Sequence, residues 1–301
     1  MTTPETLPAD APAQPWRGTI LVLISAACFG TTLIFTQRAL DDGATLYALL
    51  AVRYVLGAAM LCVVAGGISA VRAVGARKWP LLTLGGAAQT AIAGLSVAAL
   101  QFIPPASVAF LFYTYPTWVA VLAIVRRSEP VDGFKVAALA LSLAGIVTIV
   151  GNPLATKLDP RGIALALAAA GVYALLIPWL GKIQAGLKPA AAVTWIALGA
   201  AICFVIGALA TRAPLFPPTS SLLLWAALLA IFPTTVAFIT FLGGLAALGP
   251  VRTSIVSTVE PFLTALLAGV VLGQHVGPRT WIGGAMIATA MLILQRKPRS
   301  A

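Results

Sequence analysis

Glu260 is the ionisable residue whose surroundings point most directly to chemistry, because it lies inside a long apolar stretch. Thr253, Ser257, Glu260 and Thr264 are spaced by 4, 3 and 4 residues, which places them on one face of a helix. Polar groups are costly in hydrocarbon, so this face is predicted to turn toward the protein interior. Two roles stay open for the carboxyl group. It either holds a substrate ammonium or takes up a proton, or it pairs with Arg53 or packs against helices in protonated form.

Arg53 is a second ionisable residue within an apolar stretch, and it is predicted to lie at a depth similar to that of Glu260. A delocalised guanidinium can hold the carbonyl groups of a broken helix or a carboxylate, which is an architectural role. It can also bind the carboxylate of a substrate. The sequence predicts the architectural role first and keeps substrate binding as the alternative.

Four prolines fall within stretches that otherwise have the length and composition of apolar helices. They are Pro116, Pro178, Pro233 and Pro261. Proline removes a backbone donor and loosens or kinks a helix, so each is either a gating element or a static kink that improves packing. The predicted fourth and ninth helices both carry one, which favours gating for that pair.

Further polar and aromatic residues fall in the middle of apolar stretches rather than at their ends. Lipid contact or packing is the usual role of such aromatic residues. The alternative is a cavity with apolar walls and a few polar groups, as small-molecule sites require. Besides Ser257 and Glu260, the residues predicted to line a substrate site are Phe29, Gln89, Thr90, Tyr113, Tyr173, Thr234, Thr235 and Phe238.

The composition indicates which elements must position these residues. Hydrophobic residues make up 60% of the 301 residues and charged residues 9%, and the mean hydropathy is +1.01. A soluble domain carries about 25% charged residues, so the chain is predicted to be an all-α polytopic membrane protein. About ten spans of roughly 20 residues would use most of the chain. The remainder is too short for an extramembrane catalytic domain, which favours a carrier or channel over an enzyme.

Charge-free intervals predict ten transmembrane helices, centred near residues 27, 55, 90, 115, 141, 171, 200, 231, 259 and 287. Residues 1–15 are predicted to form a disordered N-terminal tail, and residues 296–301 a basic C-terminal tail. Ten spans place both termini on one side, which has 12 Lys and Arg residues against 5 on the other, with Arg53 and Arg252 left out. Positive charge accumulates on the cytoplasmic side. Both termini are therefore predicted to be cytoplasmic, in a multi-pass protein of the inner (plasma) membrane.

The remaining charge and the cysteines suggest no further partner. The net charge of +11 is explained by anchoring residues at the helix ends, so no nucleic acid is expected. The three cysteines lie in apolar runs without metal-ligand spacing. Neither a metal nor a cofactor is predicted, and the expected partners are membrane lipids and a small-molecule substrate.

The chain aligns with itself at an offset of 144–145 residues. Two prolines eleven residues apart recur 145 residues later, as Pro105, Pro116, Pro250 and Pro261. The first half (residues 16–150) and the second half (residues 151–295) then hold five helices each. Because five is odd, the second half is predicted to be inverted relative to the first. Inverted repeats are typical of carriers that alternate access around a site at the midplane.

Several of these runs resemble a known family. Arg53 in the run Leu49-Leu50-Ala51-Val52-Arg53-Tyr54 resembles the second helix of the EamA family, within the drug/metabolite transporter superfamily. The runs that resemble its fourth-helix signature are Pro105-Ala106-Ser107, Tyr115-Pro116 and Ser128-Glu129-Pro130. Those that resemble the duplicate are Leu248-Gly249-Pro250, Glu260-Pro261 and Leu272-Gly273-Gln274. Two positions depart from the pattern: Gln274 stands where the family often has Glu, and Ala290 where the first half has Gly145.

The resemblance covers nearly the whole chain and looks closest to bacterial amino-acid exporters of the YddG type. It implies a secondary transporter that exports aromatic and other neutral amino acids by alternating access, with cationic drugs or other metabolites as the alternative cargo. An intramembrane enzyme would need paired carboxylates, a Ser/Lys dyad or a metal cluster, and a channel a selectivity filter or a ring of like charges. The sequence has neither pattern. Because a duplicated chain can form its pathway alone, a monomer is expected.

Overall fold

A computed structural model describes residues 15–99, 101–103, 105–151, 158–212, 220–272 and 276–295, and the regular structure in these ranges is helical throughout. Residues 1–14 of the predicted N-terminal tail, the predicted tail 296–301 and Gln274 lie outside the described residues. The first helix begins at Pro15, one residue before the predicted end of the tail.

Nine helical segments in the described residues are long and apolar enough to cross a membrane, and one further apolar helix is shorter. In chain order they are α1 (Trp16–Asp41), α2 (Tyr47–Ala65), α3 (Gly75–Ala99), α4 (Ser107–Val125), α5 (Gly133–Val150), α6 (Pro160–Ile183), α7 (Pro189–Ala210), α8 (Leu223–Leu248), α9 (Pro250–Val271) and the shorter α10 (Pro278–Leu294). Each coincides with one predicted centre. The structure thus confirms an all-helical polytopic membrane protein, while the count of ten spans stays a prediction.

Local sequence signals fix several helix ends. Asp132 caps the start of α5 by accepting a hydrogen bond from the Lys135 backbone N–H at 2.9 Å. Asp159 caps α6 in the same way, accepting from the Arg161 backbone N–H at 2.8 Å. Hydrogen bonds from Arg161 also lower the pKa of the Asp159 carboxyl group. At the other end of a span, Gly66 terminates α2 with a φ of 104°, a left-handed conformation that glycine adopts without strain.

The α4 and α9 segments are each interrupted, and the two interruptions lie at corresponding places in the chain. In α4 the helix Pro105–Phe112 ends and a second helix, Tyr115–Val125, follows. In α9 the helix Pro250–Ser257 is followed by Glu260–Leu272. Pro116 and Pro261 are the second residues of the new helices. They therefore do not kink a continuous helix, as the sequence predicts, but occupy a first turn, where proline lacks no needed donor.

The other two prolines lie inside helical segments. Pro178 is within α6. Pro233 lies in a π-helical stretch of α8, Ala230–Val236. Such wide turns leave backbone carbonyls without their usual partners. In this stretch the Thr234 and Thr235 hydroxyls donate to the carbonyls of Leu229 and Ala230, at 2.9 and 2.8 Å.

The helix contacts follow a pattern that stays the same when each helix is replaced by its counterpart in the other half, α1 by α6, α2 by α7 and so on. The most extensive contacts pair α2 with α7, α5 with α10, α1 with α8, and α3 with α6. Two close helix contacts require glycine, one between α7 and α3 and one between α5 and α10. A Cβ on Gly199 of α7 would lie 1.9 Å from the Leu82 carbonyl oxygen of α3, and one on Gly145 of α5 would lie 2.8 Å from the Gly283 carbonyl oxygen of α10. Such close backbone approach is how membrane helices associate without a hydrophobic driving force.

Candidate functional site

A cavity of about 190 Å³ lies between the two halves, and we call it the central cavity. Its walls come from α1, α2, α3, α4, α6, α8 and α9. It is lined by Phe29, Thr32, Leu50, Arg53, Tyr54, Gln89, Ile92, Ala93, Ser96, Phe112, Tyr173, Phe238 and Glu260. Five of the predicted substrate-site residues are in this set: Phe29, Gln89, Tyr173, Phe238 and Glu260. Arg53, predicted as a structural residue, lines it as well.

Glu260 is the first residue of the helix that resumes after the α9 interruption, and its side chain is half-buried against the cavity. The buried Tyr113 of α4 is a neighbour of this carboxyl group. Its backbone carbonyl accepts from the Thr264 hydroxyl at 2.9 Å. Glu260 is thus the carboxyl group among the residues that line the central cavity, and Tyr113 is not one of those residues.

Arg53 reaches from α2 to the π-helical stretch of α8. Its Nε donates to the Thr234 hydroxyl oxygen at 2.8 Å, and its guanidinium carbon lies 5.1 Å from the centre of the Tyr54 ring. Between Arg53 and Glu260, both of which the structure describes, there is no ion pair within 4.0 Å; Nε is engaged by Thr234 instead. Arg53 therefore joins the two halves at the cavity wall, which agrees with the architectural role.

Tyr54 and Gln89 form a polar pair beside Arg53. The Gln89 side-chain amide donates to the Tyr54 hydroxyl oxygen at 2.9 Å. The Tyr54 ring is stacked on Phe204 of α7, with 5.5 Å between ring centres. This stacking fixes the Tyr54 hydroxyl, which in turn orients the Gln89 amide toward the cavity.

Aromatic rings supply most of the remaining wall. Phe29 meets Phe238 edge to face at 5.3 Å, and Phe112 stacks on Tyr173 at 5.6 Å. Phe29 and Tyr173 come from α1 and α6, which correspond in the two halves. The cavity thus has apolar faces on two sides and a few fixed polar groups, the arrangement expected of a small-molecule site.

Four predicted hydroxyl residues do not line the central cavity. Thr90, Thr234, Thr235 and Ser257 each donate to a carbonyl of their own helix, at 2.8–2.9 Å. A buried hydroxyl in an apolar protein satisfies itself on the nearest backbone carbonyl, and this use is indistinguishable by residue type from a substrate contact. Thr253 and Ser257 are buried, in agreement with the predicted inward face, but the interruption of α9 separates them from Glu260 and Thr264, so the four residues do not share one continuous helix.

The sequence interpretation missed several cavity residues, notably Thr32, Tyr54, Ser96 and Phe112. A signal existed for two of them. Thr32 follows Phe29 by three residues and Ser96 follows Gln89 by seven, so each lies on the same helix face as a predicted residue. Nothing in the sequence distinguishes Phe112 from other aromatic residues in the spans.

A second, larger cavity of about 530 Å³ lies where the first half meets the second near the start of α1, and we call it the vestibule. Gly18 of α1 packs against Leu248, one of its lining residues. Other lining residues are Arg126, Glu129, Pro178, Lys182, Gly249 and Pro250. Here α4, α6 and α8 end and α9 begins. Pro178, for which the sequence left a gating role and a static kink open, is thus part of the vestibule wall.

A buried layer separates the vestibule from the central cavity, and we call it the closing layer. It consists of Tyr115, Ile177, Phe241, Leu242 and Ser257. On α4, α6, α8 and α9 these residues fall between those that line the two cavities. The Tyr115 ring meets the Tyr173 ring at 4.7 Å, and the Tyr115 hydroxyl donates to the Ser254 carbonyl oxygen at 3.5 Å.

The central cavity continues in the opposite direction. A smaller cavity of about 100 Å³ shares Leu50 and Ala93 with it and extends to Tyr47 and Gln101. Tyr47 begins α2 and Gln101 follows α3, so this extension leads away from the vestibule. The structure therefore has its cavity closed toward the end at which α1 begins and extended toward the other end.

Metal chemistry has no visible site in the described part of the chain. The residues that the structure describes contain no group of three or more His, Cys, Asp or Glu side chains placed to bind a metal ion. Cys28, Cys62 and Cys203 are free thiols.

Membrane-length apolar helices around a cavity of aromatic and polar groups define a polytopic membrane protein. The sequence model of the EamA-like transporter family matches residues 16–151 and again residues 160–296, so the chain belongs to that family. It is a multi-pass membrane transport protein and not an enzyme.

Individual relatives agree with this assignment. A protein of Salmonella typhimurium (strain LT2) named "Uncharacterized inner membrane transporter YicL" is 27% identical over 210 residues, or 67% of this chain. The matched region covers 65% of that relative, slightly under two thirds of its length. A solved crystal structure is similar at a TM-score of 0.80 with 20% identity, covering 92% of this chain and 96% of that chain. This likeness supports the fold, and the relative's name supports an inner-membrane location.

Proposed function

We propose that the protein is a secondary carrier that exports small organic solutes, foremost aromatic and other neutral amino acids, across the inner membrane. The central cavity carries this proposal, because it combines aromatic faces with a carboxyl group that is not paired with Arg53. At about 190 Å³ it is smaller than the roughly 300 Å³ at which cavities for drug-sized ligands begin. This size favours a solute of amino-acid dimensions.

The recognition mode follows from the placement of the groups. The substrate ammonium would lie against Glu260, and an aromatic or other apolar side chain between the Phe29–Phe238 pair and the Phe112–Tyr173 pair. The substrate carboxylate would face Arg53, whose guanidinium also lines the cavity.

Transport would proceed by alternating access. In the present state the closing layer blocks the vestibule, and its opening would expose the central cavity to the vestibule while the extension past Tyr47 closes. We propose ten spans in two inverted repeats, residues 16–150 and 151–295, with both termini cytoplasmic and the vestibule on the cytoplasmic side. The exchangeable packing of the halves supports this arrangement, as does a family match that occurs twice. A single chain contains both halves, so a monomer would suffice.

A second cargo class is favoured by one observation. Glu260 lies on the cavity without an ion pair to Arg53, and a carboxylate of this kind also suits a cation that has no carboxylate of its own. Export of cationic drugs or of other metabolites is therefore the alternative.

The test is counterflow in proteoliposomes loaded with neutral amino acids. Labelled phenylalanine or threonine is supplied outside, with and without a pH gradient. Saturable exchange is the expected result, and a response to the gradient would indicate coupling to protons. Flux that never saturates would contradict a carrier. Absence of exchange for every amino acid, with folded protein, would contradict the amino-acid proposal in favour of the alternative cargo.

A further inference from the structure

Glu129 makes a contact between the two halves that is independent of the central cavity. It lies in the loop between α4 and α5. One carboxylate oxygen, Oε1, accepts from the Lys135 ammonium at 2.7 Å. The other, Oε2, accepts from the backbone N–H of Val251, in the first turn of α9, at 3.3 Å. A loop of the first half thus caps a helix of the second.

The chemistry of this contact explains the local sequence on both sides. Pro250 has no N–H, so Val251 offers the first backbone donor of α9, and a negative charge is favoured at a helix N-terminus. Gly249 has a φ of 75°, and a Cβ there would lie only 3.4 Å from Oε2 of Glu129. The pair is also shielded, with side-chain exposure of 18% for Glu129 and 8% for Lys135, which strengthens it relative to a surface ion pair.

The position of the contact gives it a consequence for transport. Glu129, Gly249 and Pro250 all line the vestibule, whose walls belong to both halves. Opening the closing layer toward the vestibule requires α4 and α9 to move relative to each other. The Glu129–Val251 hydrogen bond and the Tyr115–Ser254 hydrogen bond both resist that movement.

We infer that Glu129 is a latch that holds the two halves together at the vestibule and thereby stabilises the state in which the central cavity is closed to it. Glu129 is a positioning residue in this role and does not touch the substrate. The inference rests on the proposed alternating-access mechanism. It identifies Glu129 as a residue that sets the equilibrium between the states in which the central cavity is closed and open to the vestibule.

Asp132 provides a matched control in the same loop. It caps α5, a helix of its own half, by accepting from the Lys135 backbone N–H at 2.9 Å. Replacing Asp132 removes a loop carboxylate and a helix cap but no contact between the halves. A general loosening of the loop would therefore affect both variants, whereas loss of the latch affects Glu129 variants alone.

The experiment measures accessibility and needs no substrate. Cys28, Cys62 and Cys203 are replaced by Ala, and Ser96, which lines the central cavity, is replaced by Cys. Labelling by a membrane-impermeant thiol reagent is then measured from each side in oriented vesicles. We expect Glu129→Ala to raise labelling from the vestibule side roughly tenfold, the effect of losing about one charge-assisted hydrogen bond. Labelling from the opposite side should fall.

Glu129→Gln keeps an acceptor for Val251 and loses the charge, so an intermediate change is expected. It also keeps the test decisive where Glu129→Ala does not fold. Asp132→Ala should leave labelling unchanged on both sides. Unchanged labelling in both Glu129 variants would overturn the latch, and so would an equal rise from both sides or an equal effect of Asp132→Ala. Failure of amino-acid counterflow, by contrast, would overturn the proposed cargo and leave this result intact.

Discussion

The interruptions of α4 and α9 have the same backbone arrangement, but the residues that follow them have different surroundings. They lie 145 residues apart, at Tyr113–Thr114 and at Thr258–Val259, and each is followed by a residue and then a proline. In α4 that residue is Tyr115, which is 1% exposed and fills the closing layer. In α9 it is Glu260, which borders the central cavity. The side chain, not the backbone, therefore distinguishes the interruption that fills the closing layer from the one that borders the cavity.

If Glu260 binds the substrate as proposed, this contrast explains how two corresponding interruptions yield one binding site instead of two. Both interruptions free backbone groups and give the chain a place to bend. Where the helix resumes after the first interruption, the Tyr115 ring packs against Tyr173 and excludes water. A carboxyl group at the second is too costly to bury without a partner, so it needs a solute, a proton or a neighbouring hydroxyl such as that of Tyr113.

Removing the charge at the second interruption should have the largest effect. Glu260→Gln keeps the size and the polarity of the side chain but cannot pair with an ammonium. Truncating one side of such a pair costs about 2–5 kcal/mol, so counterflow of labelled phenylalanine should fall roughly 30-fold or more. The control is Asp42→Asn, because Asp42 follows α1, does not line the central cavity, and keeps an acceptor for the Trp225 indole N–H in the variant. Counterflow at the wild-type rate in the Glu260 variant would show that this interruption does not recognise the substrate.

Breaking the Arg53–Thr234 hydrogen bond tests whether Arg53 has a structural role at the cavity. Thr234→Val removes the acceptor of a buried guanidinium donor, which should cost about 1–3 kcal/mol of stability and lower the melting temperature. Thr235→Val is the matched control, because the Thr235 hydroxyl bonds its own helix and not Arg53. Equal melting temperatures for the two variants would contradict the structural role of Arg53.

Tyr173 touches both regions, since it lines the central cavity and meets Tyr115 of the closing layer. Tyr173→Ala removes an aromatic face worth about 1.4 kcal/mol, and the KM for phenylalanine should rise roughly tenfold. The KM for threonine, which has no ring, should rise less. Trp118→Ala controls for loss of an aromatic residue, because Trp118 is 46% exposed. Equal changes for phenylalanine and threonine would argue against an aromatic subsite.

Tyr115→Phe should have the smallest effect. The ring that fills the closing layer stays, and the only loss is a long hydrogen bond to Ser254, at 3.5 Å. We expect counterflow to change by about twofold at most. A loss as large as that of Glu260→Gln would mean that both interruptions bind the substrate, and the contrast between them would be wrong.

The sequence predicted most of the fold because burial in lipid imposes long apolar stretches that are easy to recognise. The correspondence of the halves, predicted from the spacing of four prolines, agrees with a family match that occurs twice and stays a prediction. The sequence did not predict that Pro116 and Pro261 begin new helices, since a proline in an apolar run looks the same in a kink and in a first turn.

The site was predicted in part, and the reason is physical. Glu260 and Arg53 stood out because charge within an apolar span is rare. The hydroxyls of Thr90, Thr234, Thr235 and Ser257 did not line the cavity, because such groups bond to their own helix. Tyr54 and Phe112 were missed, since an aromatic residue in a span faces lipid, core or cavity according to packing that composition does not specify.

The most direct test of Glu260 as the ammonium site is competition against phenylalanine counterflow by two analogues. Phenethylamine lacks the carboxylate, and phenylpropionate lacks the ammonium. We expect phenethylamine to compete in the wild type and to fail to compete in residual Glu260→Gln counterflow, while phenylpropionate competes weakly or not at all. Strong competition by phenylpropionate together with none by phenethylamine would show that the site recognises the carboxylate of the substrate. That result would contradict the assignment of Glu260 as the ammonium site.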